Sequence, residues 1–151
     1  MLSTNWVTKK LFEEITFLGG VLFYSLFSLL FLFNKDYYLF FILVFNLIFI
    51  YAAAIIIRTF YFKSRPKKMK YHSFIRKIDA SSFPSIHAAR ATVLFLFILF
   101  NFLNNLLLLC LSFVLTLSIL YSRIYLKKHD PTDIVGGVLL GIFSFFVSYI
   151  I

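Results

Sequence analysis

The sequence predicts an all-α bundle of about five membrane helices. Two observations carry this. Five apolar runs, each near the ~20 residues a helix needs to cross a bilayer, are separated by polar connections. Hydrophobic residues make up 62% of the chain and charged ones only 14%, with a mean hydropathy of +0.94, far from the balance of a soluble domain. At 151 residues the chain has room for a single domain, 1–151. Lys and Arg number 15 against 6 Asp and Glu, a balance suited to anionic neighbours such as lipid headgroups or a phosphorylated substrate.

Taken in order, residues 1–14, with Leu2, Trp6, Val7, Leu11 and Phe12, read as a short interfacial helix. Ile15–Phe33 is the first span. Lys9 and Lys10 precede it, but so do Glu13 and Glu14, and no small-residue cleavage site follows, so it does not read as a signal peptide. Asn34–Asp36 is a tight turn into Tyr37–Ile57, the second span. Arg58–Phe83 is a long, strongly basic connection. Pro84–Leu103 is the third span and carries His87 and Arg90 in its first turns; a short polar turn around Asn101–Asn105 leads to the fourth, Leu106–Tyr121. Ser122–Asp133 is a short connection holding Arg123, Lys127, Lys128, His129 and both of its Asp residues, and Ile134–Ile151 is the fifth span. Gly137 and Gly141 form a small-xxx-small pair that lets this last helix pack closely. Cys110, the only cysteine, lies in an apolar run and reads as a packing residue, so neither a disulfide nor a thiolate metal site is expected.

If five helices alternate in direction, the two ionisable connections and the N-terminus share one face. All three histidines, and every Lys and Arg except Lys35, then lie there. The positive-inside rule turns that face to the cytoplasm.

Three clusters on this face carry chemistry. In the last, His129 and Asp133 are four apart and share a helical face. Asp133 can accept a hydrogen bond from one imidazole nitrogen and leave the other free to attack. Asp130-Pro131-Thr132-Asp133 equally reads as a helix start, with a cap, Pro at the first position and a carboxylate at the third. In the second cluster Ser85, Ile86 and His87 open a helix whose first N–H groups lack intrahelical acceptors and suit a phosphate oxygen. Ser85 adds a hydroxyl, and His87 is placed to protonate a departing oxygen. Arg58, Arg65 and Arg123 stand at apolar helix ends, where planar guanidinium groups can fork onto phosphate oxygens. Lys63, Lys67, Lys68, Lys70, Arg76 and Lys77 read as a solvated or headgroup-facing surface, Arg90 as snorkelling in preference to reaching a substrate headgroup, and His72 as solvated.

Together the clusters resemble the signature of the type 2 phosphatidic acid phosphatase family, the lipid phosphate phosphatases: K-x6-R-P, then P-S-G-H, then S-R-x5-H-x3-D. The third part is complete in Ser122, Arg123, His129 and Asp133. The second is present in Pro84, Ser85 and His87, with Ile86 in place of glycine, and the first keeps Arg65 and Pro66 while Arg58 takes the lysine position. The resemblance spans roughly residues 50–145 and implies a membrane-embedded phosphatase domain. By its implication His129 is the nucleophile that forms a phosphohistidine, Asp133 its orienting partner and His87 the acid. Arg58, Arg65, Ser85, Arg123 and the amide of Ile86 bind phosphate oxygens. No metal and no cofactor is implied; only Asp79, Asp130 and Asp133 are acidic on the loops of this face, too few for a magnesium cage. Family members usually have six membrane helices and commonly place the site outside the cytoplasm, opposite to the charge rule; both orientations stand.

The expected function is metal-independent hydrolysis of a lipid phosphate monoester or diphosphate, either a polyprenyl diphosphate or a phosphatidate-like lipid, by an integral, multi-pass protein of the cell membrane. Its partners are the lipid substrate and the bilayer, with no nucleic acid and no obligate protein partner. The alternative is a catalytically inactive membrane protein that binds anionic lipid or phosphate. A transporter would place its ionisable residues mid-helix rather than at helix ends. The vanadate-dependent haloperoxidases share the signature but are soluble and far longer.

Overall fold

The computed structural model describes residues 4–67 and 71–150, and among these the chain is a helical bundle without strands. In order the helices are α1 (Thr4–Leu18), α2 (Val21–Phe33), α3 (Tyr37–Phe60), α4 (Phe74–Ala80), α5 (Ile86–Asn101), α6 (Leu106–Tyr125) and α7 (Pro131–Ser148). Leu2, Lys68, Lys70 and Ile151, named above, lie outside the described residues.

Against the expected five spans, three or four stretches among the described residues are long and apolar enough to cross a membrane. By length and composition α3, α6 and α7 are membrane-crossing helices, and the pair α1–α2, bent by 41°, adds a fourth if it counts as one span. The first apolar run is not one straight helix, because Gly19 and Gly20 interrupt it. A Cβ at Gly19 would sit 2.7 Å from Ile119 Cγ2 and 3.5 Å from His87 Cδ2, so the break brings backbone right against α5 and α6. Of the interfacial segment expected at 1–14, the described residues from Thr4 on are helical and belong to α1, which runs on to Leu18 and packs along the end of α6. Phe12 stacks on Tyr121 and Tyr125 there, and Thr8 Oγ1 lies 3.1 Å from Tyr125 Oη.

α5 is the short central helix. Its 16 residues rise only ~24 Å, less than the ~30 Å hydrocarbon thickness. Every side chain from Ala88 to Leu94 is buried, because neighbouring helices rather than lipid surround it. The apolar core joins Ala89, Val93, Leu94 and Phe97 of α5 to Tyr24 of α2, Ile42, Leu43 and Ile50 of α3, and Phe145 of α7. α7 packs most intimately on α5, as the glycine pair foretold. A Cβ at Gly141 would come 2.6 Å from Ala89 O, and one at Gly137 would strike Ser85 O and Ala88 Cβ. Polar contacts also join helices inside the bundle. Asn46 Nδ2 donates to Ser148 Oγ at 2.8 Å, and Ser144 Oγ to Asn46 Oδ1 at 2.6 Å. Cys110 is exposed on the outer face of α6 and is not a core packing residue.

The basic connection is more ordered than a solvated loop. Ser73 caps the short helix α4, accepting from Arg76 N–H, and residues 63–64 pair with 81–82 through an isolated bridge and the Ser82 N–H to Lys63 O bond of 2.8 Å. The loop thus folds back over the bundle end where α3 stops and α5 and α7 begin.

Candidate active site

The start of α5 and the ends of α1, α3, α4 and α6 meet at one cavity of about 310 Å³. Ser85 caps α5, its hydroxyl accepting from Ala88 N–H at 3.4 Å. Ser85 N–H in turn donates to Asp133 O at 3.0 Å, which ties the start of α5 to the start of α7. Asp130 and Asp133 form a capping box around Pro131, so the helix-start reading of this segment holds alongside the chemical one. α6 ends because Lys127 adopts φ 53°, the left-handed conformation that closes helices. The chain then doubles back, and the N–H groups of Lys128 and His129 both donate to Arg123 O. That reversal sets His129 over the end of α6 and beside Asp133.

His129 is 3% exposed and Asp133 fully buried, with Nδ1 of the ring 3.7 Å from Asp133 Oδ2. This exceeds a hydrogen bond, so the expected His129–Asp133 bond is replaced by close apposition. Both carboxylate oxygens are engaged elsewhere. Lys63 Nζ donates to Oδ1 at 2.7 Å, and Asp130 N–H to Oδ2 at 2.9 Å. Lys63 also donates to Thr132 Oγ1 at 2.7 Å and lies 3.2 Å from Asp130 Oδ2, so it is a clamp on the α7 start and not a solvated surface cation. Burial disfavours its charge, and the bonds to Asp133 and Asp130 outweigh this, holding its pKa above the ordinary value.

The arginines are gathered by backbone carbonyls. Arg58 Nη2 donates to Pro84 O at 2.9 Å and Nη1 to Ile78 O at 3.4 Å. Arg65 Nη2 donates to Asp79 O at 2.6 Å, and Arg123 Nη1 to Thr16 Oγ1 at 3.3 Å. All three, with His87, His129 and Ile86, line the cavity. Ser85 and Asp133 do not reach its wall and act from behind it. The Nε groups of Arg58 and Arg123 and Nδ1 of His129 are buried without a hydrogen-bond partner. Stranded donors of this kind are costly unless an acceptor meets them, and all three residues line the one cavity.

Burial and the nearby charges together act on His129. Burial first, then the cations Arg123 and Arg65, push its pKa down to about 3, with Asp133 pulling the other way. The ring is therefore neutral, as a nucleophile or base must be. Burial with Arg123 and Arg65 also lowers the pKa of Lys128.

Sequence reasoning missed Thr16, Tyr51, Asp79 and Lys128, which also line the cavity. Thr16, Tyr51 and Asp79 reach it only through the fold; for Lys128 the adjacency to His129 was the available signal. Arg90 corrects another expectation. It is 2% exposed, lines the cavity and donates to Tyr51 Oη at 2.8 Å, so it does not snorkel. An arginine inside an apolar helix was itself the signal. Isoleucine at position 86, the first residue of α5, packs against the apolar core and also lines the cavity. His72 is exposed, as expected.

The sequence model of the PAP2 superfamily matches residues 39–151, a stretch that contains all three clusters and begins within α3. No curated protein matches the chain, and no solved structure does. The match covers most of the chain and agrees with its all-helical, membrane-spanning architecture: the chain belongs to the PAP2 superfamily, a family of phosphatases.

Proposed function

We propose that the chain is a membrane lipid phosphatase that hydrolyses a phosphate monoester or diphosphate at the cavity, without a metal, through a phosphohistidine on His129. The observation that supports this best is that His87 of α5 and His129 of the α6–α7 connection line one cavity with Arg58 and Arg123, whose Nε donors are buried without partners. Those donors, Arg65 and the Ile86 N–H hold the three non-bridging oxygens, over which charge spreads during phosphoryl transfer. His129, kept neutral by burial and by Arg123 and Arg65, attacks phosphorus through the nitrogen turned away from Asp133. The bond from phosphorus to the leaving oxygen breaks, and His87, protonated once the anionic substrate offsets the surrounding arginines, delivers its proton to that oxygen. Neutral His87 then takes a proton from water, which attacks the phosphohistidine and releases orthophosphate. Asp133 steadies the imidazolium that develops on His129. Ser85 fixes the start of α5 and with it the positions of Ile86 and His87.

The test is phosphate release by the detergent-purified protein in the presence of EDTA, with a polyprenyl diphosphate and a phosphatidate offered separately and His129→Ala as control. Release that requires His129 and survives EDTA supports the reading. No release from either lipid, across detergents and pH, assigns the chain to phosphate-binding relatives that do not turn over.

A further inference from the structure

Arg90 and Tyr51 belong to the cavity but to none of the three motif clusters. Arg90 follows His87 by one helical turn on α5, so it lies ~4.5 Å deeper in the bundle. Tyr51 stands two turns before Arg58 on α3, on the same inner side. Arg90 Nη1 donates to Tyr51 Oη at 2.8 Å, and the guanidinium lies 5.6 Å from the Tyr51 ring centroid. Since Tyr51 Oη accepts from Arg90, its own O–H is free to donate elsewhere. Arg90 Nε is buried without a partner. A charged side chain buried within an apolar helix is a candidate ligand contact.

The cavity holds more cationic charge than one phosphate uses. Among the described residues, Arg58, Arg65, Arg90, Arg123 and Lys128 line it with one acidic residue, Asp79, whereas a phosphate monoester carries about two negative charges at neutral pH. We propose that Arg90 and Tyr51 form a second anion subsite that takes the lipid-side phosphate of a diphosphate while the terminal phosphate occupies the outer arginines. This rests on the phosphatase reading and narrows its substrate to a diphosphate. The arrangement matches the order of groups along such a lipid, because the deeper phosphate is the one joined to the apolar tail. On attack by His129 the bond between the terminal phosphorus and the bridging oxygen breaks. His87 protonates that oxygen, and the lipid monophosphate leaves from Arg90 and Tyr51.

Binding without turnover tests this separately from catalysis. Inorganic diphosphate and orthophosphate are titrated against the detergent-purified protein by calorimetry, for the wild type, Arg90→Gln and the near-isosteric Tyr51→Phe, with thermal unfolding of each variant as a check on folding. The wild type is expected to bind diphosphate at least about tenfold more tightly than orthophosphate, the effect of one added charge-assisted contact. Arg90→Gln should remove most of that advantage and Tyr51→Phe part of it. Equal affinities in the wild type, or an advantage that persists in both folded variants, overturns the subsite. If Arg90→Gln does not fold, an undiminished advantage in Tyr51→Phe overturns it. Absence of lipid hydrolysis would instead sink the phosphatase reading and leave this binding result standing.

Discussion

His129 Nδ1 and Asp133 Oδ2 face each other at 3.7 Å across the start of α7, closer than unrelated groups and too far for a hydrogen bond. Asp133 is held in place by Lys63 and by the Asp130 N–H, with its two oxygens fully engaged. The carboxylate therefore belongs to a helix start and a lysine clamp and stands beside a histidine, and its substitution tests all three.

Asp133→Asn should lower hydrolysis at least about a hundredfold, because the histidine loses the charge that supports its imidazolium. It should also cost about 1 kcal/mol of stability through the capping box. Lys63→Met strands a buried carboxylate. The expected cost is about 1–3 kcal/mol, less than for a fully buried pair because the Lys63 side chain remains 25% exposed. A double-mutant cycle by thermal unfolding should show the two effects to be strongly non-additive; additive losses contradict the clamp.

The charge around His129 gives a prediction with a definite sign. Arg123 disfavours the imidazolium, so Arg123→Gln should raise the His129 pKa from about 3 toward its ordinary 6.5. Histidine-labelled protein followed by NMR against pH reads this directly. A downward move, or none, contradicts the assigned cause.

Gly137 sets the approach of α7 to α5, and its Cβ position is filled by Ser85 O and Ala88 Cβ. Gly137→Val should destabilise the fold by about 1–3 kcal/mol. Because Ser85 N–H to Asp133 O joins the two helix starts, the same change should reduce turnover in whatever protein remains folded. Thermal unfolding and turnover per folded molecule check the two halves.

Ile86→Gly restores the residue usual in the signature. Since Ile86 packs on the core and its proposed contact with phosphate is a backbone N–H, we expect a stability loss of about 1–2 kcal/mol and hydrolysis within about threefold of wild type. A large gain in turnover would mean that the isoleucine crowds the phosphate.

Much of this site was legible in the sequence, because the spacing within each cluster is local and helices translate spacing into facing. Arg58, Arg65, His87, Arg123 and His129 do reach one cavity. The roles that depended on long-range packing were not legible. Lys63 looked like one more solvated cation until the loop folded back onto Asp130 and Asp133. Arg90 looked like a snorkelling side chain until α5 proved to be the buried centre of the bundle, facing Tyr51 instead of lipid. The same burial explains the span count. A helix enclosed by its neighbours need not match the bilayer thickness, and hydropathy alone treated α5 like the outer helices. The glycine pair 19–20 was visible in the first apolar run, but the bend it permits is set by contact with Ile119 and His87.

The most direct test of the account is to trap the covalent intermediate. Purified protein is mixed with a lipid diphosphate labelled in its terminal phosphate, quenched in alkali within the first turnover, digested and mapped. The account predicts an alkali-stable, acid-labile label on the peptide containing His129, absent in His129→Ala. Rapid phosphate release with no label on that peptide, or release that persists in His129→Ala, would contradict it.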